Sequence, residues 1–188
     1  MKNLICVSAP SGSGKTTLIK AVRKARPELI WSVSYTTRDP RPNEFNGEDY
    51  YFISRDKFIS LKDDKKFAEC EDVHGQYYGT IKSKLDGAIN NKKTVLLELD
   101  VNGTMSVRKL YPNHSYSIFI VPPSIEHLRK RLQNRGSETN EIIEKRLERF
   151  NKEMEYKDQF DTLLINDNIQ VAINDFIKTI NEITKGVN

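Results

Sequence analysis

Apolar residues fall along this chain in short blocks, and the stretches between them carry helical spacing. Leu4-Ile5-Cys6-Val7 is a continuous apolar run of the kind that forms a buried strand. After Gly14 the spacing turns helical, with Leu18, Val22 and Ala25 repeating on one face before Pro27 ends it. Leu29 to Val33, Thr94 to Leu99, Tyr116 to Val121 and Asp161 to Ile165 are further strand candidates, rich in β-branched, aromatic and aliphatic residues. Three more helical faces lie between and after them. Ile125, Leu128 and Leu132 form one, opened by Pro122-Pro123 with Ser124 as the N-cap; Ile143, Leu147, Phe150 and Met154 form the next. Ile169, Ile173, Phe176, Ile177, Ile180 and Ile183 form the last. Strands alternating with helices predict an α/β sheet joined by crossovers.

Two stretches break the alternation. Ser34 to Thr80 is polar and aromatic, and its run Tyr50-Tyr51-Phe52-Ile53 resembles part of an antiparallel sheet. Leu132 to Ile142 is basic, contains Gly136 and has no apolar core run. Insertions at the loop ends of an α/β sheet are where binding residues gather.

The 188 residues suit one compact domain, and Lys and Arg exceed Asp and Glu by 30 to 26, a formal charge of +4. That excess is mild. It permits anionic ligands without requiring them, and no basic stripe interleaved with aromatics points to nucleic acid. Cys6 and Cys70 form no metal or redox pattern, and Cys6 reads as a small buried hydrophobe. The histidines, His74, His114 and His127, have no ligand spacing and receive no catalytic role. No apolar run is long enough for a signal peptide or a membrane span, so the chain is expected in the cytoplasm.

The strongest chemical signal is Ala9-Pro10-Ser11-Gly12-Ser13-Gly14-Lys15-Thr16, placed between the first strand and the first helix. Small residues let successive backbone N–H groups curl around an anion, and the following helix turns its positive end toward the same point. Lys15 is expected to reach the β- and γ-phosphates of a nucleoside triphosphate. The Thr16 hydroxyl is expected to ligate Mg²⁺, with Thr17 next along the helix. Ala9 stands where the pattern usually has glycine.

Further along, Ser34-Tyr35-Thr36-Thr37-Arg38-Asp39-Pro40-Arg41-Pro42 leads into Glu44, Gly47, Glu48, Asp49 and Tyr50. Phe67-Ala68-Glu69 leads into Gly75-Gln76-Tyr77-Tyr78-Gly79-Thr80, followed by Glu98-Leu99-Asp100, Arg131 to Gly136 and Lys145-Arg146-Leu147. In this order, over nearly the whole chain, the motifs closely resemble those of guanylate kinases. The resemblance implies a P-loop three-layer α/β fold with a central parallel sheet, a small antiparallel GMP-binding insertion at about 34–80 and a short lid at about 132–142. The core would then comprise about 1–33, 81–122 and 158–188. It implies transfer of the γ-phosphoryl group of MgATP to GMP, and also to dGMP, with Ser34, Arg38, Arg41, Tyr50, Glu69, Tyr78, Thr80 and Asp100 around GMP. Arg131, Arg135 and Arg146 match positions that contact the phosphates or the ATP base, and Lys15, Arg135 and Arg146 would carry the catalytic charge.

The residue types suit those roles. Guanine presents N1–H and N2–H₂ donors beside an O6 acceptor; Glu69 and Asp100 accept only, while Ser34 and Thr80 can donate. Arg38 and Arg41 offer planar forks for a phosphate, with Tyr50 and Tyr78 as phenolic donors. Glu98, at the end of an apolar strand, reads either as a carboxylate near Mg²⁺ acting through water or as a strand-end charge. Arg129, Lys130 and Arg149 read as solvated helix faces. Asn102, where the family commonly has Gln, and Asn168, where it often repeats Asp, are further departures. Two other readings compete: a guanylate-kinase-like interaction module without catalysis, and a kinase for another nucleoside monophosphate. The intact Gly12, Gly14, Lys15 and Thr16 speak against the first, and the Glu69, Asp100 and Thr80 set against the second. Oligomeric state is not legible.

Overall fold

The computed structural model describes residues 2–10, 12–73, 75–134 and 139–184, with the side chains of Arg131 and Asn134 outside that description. In chain order the strands are β1 (Leu4–Ser8), β2 (Ile30–Trp31), β3 (Ser34–Thr36), β4 (Tyr50–Phe52), β5 (Phe67–Val73), β6 (Gln76–Ile81), β7 (Val95–Glu98), β8 (Ser115–Val121) and β9 (Thr162–Ile165). The helices are α1 (Lys15–Ala25), α2 (Arg55–Asp63), α3 (Lys82–Asn90), α4 (Val101–Leu110), α5 (Ile125–Asn134), α6 (Asn140–Met154) and α7 (Ile169–Thr184), with a 3₁₀ turn at Lys157–Gln159.

One sheet has the order β2-β7-β1-β8-β9 and every pairing in it is parallel. Its central strand is buried at all five positions, as a parallel strand covered on both faces must be. Alternate side chains of β1 feed two cores. Ile5 and Val7 pack with Leu18, Ile19 and Val22 of α1 and with Ala172, Phe176 and Ile180 of α7. Leu4 and Cys6 pack with Leu85 and Ala88 of α3 and Val107 of α4. Helices on both faces make three layers.

A second sheet, β4-β3-β6-β5, lies within residues 34–81. It is mixed. β6 runs antiparallel to both neighbours, whereas β4 runs parallel to β3, with Tyr50 opposite Ser34. The expected antiparallel arrangement of the Tyr50 run is corrected here, because residues 37–49 carry the chain back to the start of β3 instead of turning it as a hairpin. The strand expected from Leu29 to Val33 also shortens to Ile30–Trp31. Beyond Ser32 the chain leaves the first sheet for the second.

The helix pair α5 and α6 has its own small core of Leu128, Leu132, Ile143, Leu147 and Phe150. Ser124 caps α5 as expected, its Oγ accepting from the His127 N–H at 3.3 Å. Within the α7 stripe Ile169 is an exception, exposed at the first turn. Cys6 and Cys70 are both free thiols.

Candidate active site

The loop after β1 closes under tight steric control. Gly12 and Gly14 both have left-handed backbone, with φ of 88° and 89°, a conformation costly for residues with a Cβ. A Cβ on Gly14 would also fall 2.3 Å from Asn166 Nδ2, and one on Gly12 would fall 2.8 Å from Leu128 Cδ1. Asn166 is buried and donates from Nδ2 to the Ser13 carbonyl at 2.7 Å, bracing the loop from behind. Gly14 serves as N-cap of α1 without any side-chain cap, so the first N–H groups of that helix remain for an anion. Ser8 Oγ and Ser13 Oγ are buried beside them with no hydrogen-bond partner among the described residues. Lys15 Nζ lies 3.3 Å from Glu98 Oε1, and donates to the Leu99 carbonyl at 3.4 Å.

The facing wall comes from the mixed sheet and the start of α4. Glu69 is nearly sealed from solvent. Burial pushes its carboxyl up to about 7, the charges of Asp100 and Glu71 add to that, and hydrogen bonding from Thr80 opposes it. Asp100 caps α4, its Oδ1 accepting from the Gly103 N–H at 2.7 Å. Gly103 leaves little room: a Cβ there would stand 3.0 Å from Glu69 Oε2 and 3.1 Å from Asp100 Oδ1, so the two carboxylates would have to give by a few tenths of an ångström. Ser34 Oγ and the buried Thr80 Oγ1 are 3.5 Å apart.

A cluster of arginine and tyrosine stands beside the carboxylates. Arg38 Nε donates to the Tyr78 hydroxyl at 3.3 Å, and its guanidinium lies 5.4 Å from the centre of the Tyr50 ring. The Tyr50 and Tyr78 rings meet edge to face with centroids 5.9 Å apart. Burial, with smaller contributions from Glu98 and Tyr78, pushes the Tyr50 phenol up to about 12, so it stays a hydrogen-bond donor.

One cavity of about 550 Å³ joins these groups. Ala9, Pro10, Gly12, Gly14, Lys15, Thr16 and Thr17 line one side; Ser34, Arg41, Tyr50, Glu69, Tyr78, Glu98 and Asp100 line the rest, with Arg146 entering from α6. Of the other expected residues, Ser13 and Thr80 are buried, and Arg38 reaches the cavity's rim through Tyr78. Ser11, Arg135 and the Arg131 side chain lie outside the described residues.

Several cavity residues were not anticipated. Arg149, read as solvated, lines the cavity together with Glu153, and its Nε donates to Glu153 Oε1 at 2.8 Å. This corrects the earlier expectation: an i, i+4 Arg–Glu pair looks identical in sequence whether it faces water or a cleft. Glu71 also lines the cavity and carried no motif of its own. Asn166 and Gly103 act through geometry. The Asp-x-x-Gly spacing at Asp100 was a visible capping signal for the latter, while nothing local marked Asn166.

Comparison with known proteins shows the family this chain resembles. The family model described as guanylate kinase matches residues 1–183. A guanylate kinase from Trichormus variabilis is 44% identical over 170 residues, covering 90% of this chain and 85% of the relative. One from Aromatoleum aromaticum is 40% identical over 177 residues, covering 94% and 86% respectively. The crystal structure of guanylate kinase from Anaplasma phagocytophilum superposes with a TM-score of 0.77 at 27% identity, over 96% of this chain and 85% of that one. With the family model spanning nearly its full length and relatives at 40% and 44% identity, this chain belongs to the guanylate kinase family.

Proposed function

We propose that the protein transfers the γ-phosphoryl group of ATP to GMP, producing ADP and GDP. The observation that carries this reading is the shared cavity: a triphosphate-type loop with Lys15 on one side, and buried carboxylates beside an arginine–tyrosine cluster on the other. The first side suits a phosphoryl donor. The second suits a purine with N–H donors on its pairing edge and a phosphate on its sugar.

ATP sits with its phosphates against the amides of the loop and the start of α1, and Lys15 neutralises the β- and γ-oxygens. Glu98 and Leu99 hold the ammonium of Lys15 at the cavity wall until then. Thr16, exposed in the cavity beside Glu98, offers a hard oxygen to Mg²⁺. The remaining ligands of that cation would come from phosphate and water. When bound, Mg²⁺ neutralises charge on the β- and γ-phosphates.

GMP places its N1–H and N2–H₂ against Glu69 and Asp100, and its O6 near Ser34 and Thr80. Arg38, Arg41, Tyr50 and Tyr78 take its phosphate. That phosphate has a second pKa of about 6 and is largely dianionic at neutral pH, so the nucleophile needs no general base. Arg146 then stabilises charge on the transferring group, with Arg135 assigned to the same task by the family resemblance and Arg131 to contact with the phosphates or the base of ATP. Catalysis rests on alignment and charge neutralisation. Among the described residues no helix is long and apolar enough to cross a membrane, and the cytoplasmic pool of ATP and GMP is the proposed setting.

A coupled assay for ADP release tests the reading, with GMP, AMP, UMP and CMP offered in turn alongside MgATP. Release that depends on GMP supports it. Release dependent on another monophosphate, or none with any of them, overturns it.

A further inference from the structure

β5 presents Glu69, Glu71 and Val73 to the cavity, as alternate residues of a strand must share a face. Glu69 pairs in register with Thr80, and Glu71 with Tyr78. These two rungs have different chemistry. The first holds the sealed carboxylate and the hydroxyl suited to a purine edge. The second carries the Tyr78 hydroxyl out to Arg38, at 3.3 Å, where a phosphate is expected. Glu71 stands on this second rung, about 7 Å along the strand from Glu69, and its side chain is far shorter than that of Tyr78. Its carboxylate therefore stops between the base end and the phosphate end of the site. In a nucleoside monophosphate, the ribose lies there.

Glu71 is half-buried, and among the described residues its carboxylate has no hydrogen-bond or ion-pair partner. Burial raises its pKa, the charge of Asp100 adds to this, and Lys62 opposes it. A carboxylate kept in a cleft beside two others is stabilised by a ligand that brings donors. A phosphate cannot do so, having the same sign of charge. The purine pairing edge is already met by Glu69 and Asp100. The remaining donors of the nucleotide are its sugar hydroxyls, and the one on C2′, adjacent to the base-bearing carbon, is closest to the Glu69 rung.

We propose that Glu71 accepts a hydrogen bond from the ribose 2′-hydroxyl of the acceptor nucleotide, so that this side chain distinguishes GMP from dGMP. The assignment rests on the GMP site proposed above.

Calorimetric titration of the ligand-free protein with GMP, dGMP and the 3′-deoxy analogue tests it, with ATP binding as the measure of an intact fold. Glu71→Ala is expected to weaken GMP and the 3′-deoxy analogue about tenfold, the effect of losing one hydrogen bond to a charged group. It should change dGMP by less than about twofold, which erases much of the preference for the ribonucleotide. Equal loss for GMP and dGMP, unchanged GMP binding, or tighter binding of either would overturn the proposal. If Glu71→Ala fails to bind ATP, Glu71→Gln decides: a smaller loss confined to GMP and the 3′-deoxy analogue supports the role, and a uniform loss refutes it. Wild-type protein that binds ATP but no GMP would instead sink the underlying GMP site.

Discussion

Arg38 and Glu44 form the tightest charge pair at the acceptor end, with Arg38 Nη2 lying 2.9 Å from Oε1 and 2.8 Å from Oε2 of the carboxylate. The same carboxylate accepts the Arg41 backbone N–H at 2.9 Å and stands 3.7 Å from Arg41 Nη1. Burial alone would raise the Glu44 carboxyl, yet the Arg41 N–H and the Arg38 guanidinium hold it below the usual range. Glu44 thus ties into one turn the two arginines proposed to take the GMP phosphate.

Glu44→Ala should therefore act on GMP. Losing a hydrogen-bonded partner of a half-buried guanidinium is worth about 1.5–3 kcal/mol, so the KM for GMP should rise at least about tenfold. The KM for ATP should move little. Steady-state kinetics with each substrate varied in turn checks this, and equal changes for both would indicate a general loss of fold.

Lys15→Ala should separate chemistry from acceptor binding. Removing a charge that acts on the transferring group is expected to lower kcat by about 100-fold or more. The Kd for GMP, which meets the opposite wall, should stay within about twofold by calorimetry. Wild-type turnover would take Lys15 out of the mechanism.

With Glu69 as the proposed guanine acceptor, GMP binding should depend on pH. The free Glu69 carboxyl sits at about 7, while guanine's N–H donors favour the ionised form. GMP binding should therefore release a proton, and affinity should weaken as pH falls below about 7, approaching tenfold per unit. Glu69→Gln should abolish the part of this dependence that sets in near pH 7, leaving for GMP only the fall below about pH 6 that protonation of its own phosphate brings. Stability follows the opposite direction. Between 4.5, the ordinary value, and about 7 the folded protein keeps a proton that the unfolded chain releases. Stability is thus lost as pH rises through that window, and Glu69→Gln should melt a few degrees higher than wild type at pH 8 without ligand. A thermal melt across pH 5 to 8 reads both signs.

Gly14→Ala combines left-handed backbone with a contact of 2.3 Å to Asn166 Nδ2. Strain of this kind costs about 1–3 kcal/mol, enough to lower Tm by several degrees. The same shift would misplace the amides ahead of α1. ATP should then give little of the thermal stabilisation it gives wild type, as measured by differential scanning fluorimetry.

Much of this site was readable along the chain wherever chemistry and local structure coincide. An apolar run, a glycine-rich turn and Lys15-Thr16 can be arranged in few ways. The stripes of α5, α6 and α7 are long and one-sided, and their cores contain most of the expected residues. The helices α2, α3 and α4 escaped notice because each gives a faint stripe. α2 buries Phe58 alone, α3 buries Leu85 and Ala88, and α4 contains a glycine near its start. Tertiary choices were hidden too. Whether β4 runs parallel to β3 depends on the path of residues 37–49, and Asn166 reaches Ser13 across 153 positions of sequence. Arg149 read as a solvated charge and Glu71 carried no motif, and only the fold turns both toward the cavity.

The central proposition is that a single cleft holds ATP and GMP end to end, with their phosphates meeting between Lys15 and Arg41. The most direct test is the affinity of an adenosine–guanosine compound joined by five phosphates, measured by calorimetry with Mg²⁺ present. Because joining two ligands makes the second contact intramolecular, its Kd should fall about 100-fold or more below that of ATP or GMP alone. Affinity no better than ATP alone, with GMP still able to bind beside the compound, would place the two nucleotides in separate sites and contradict it.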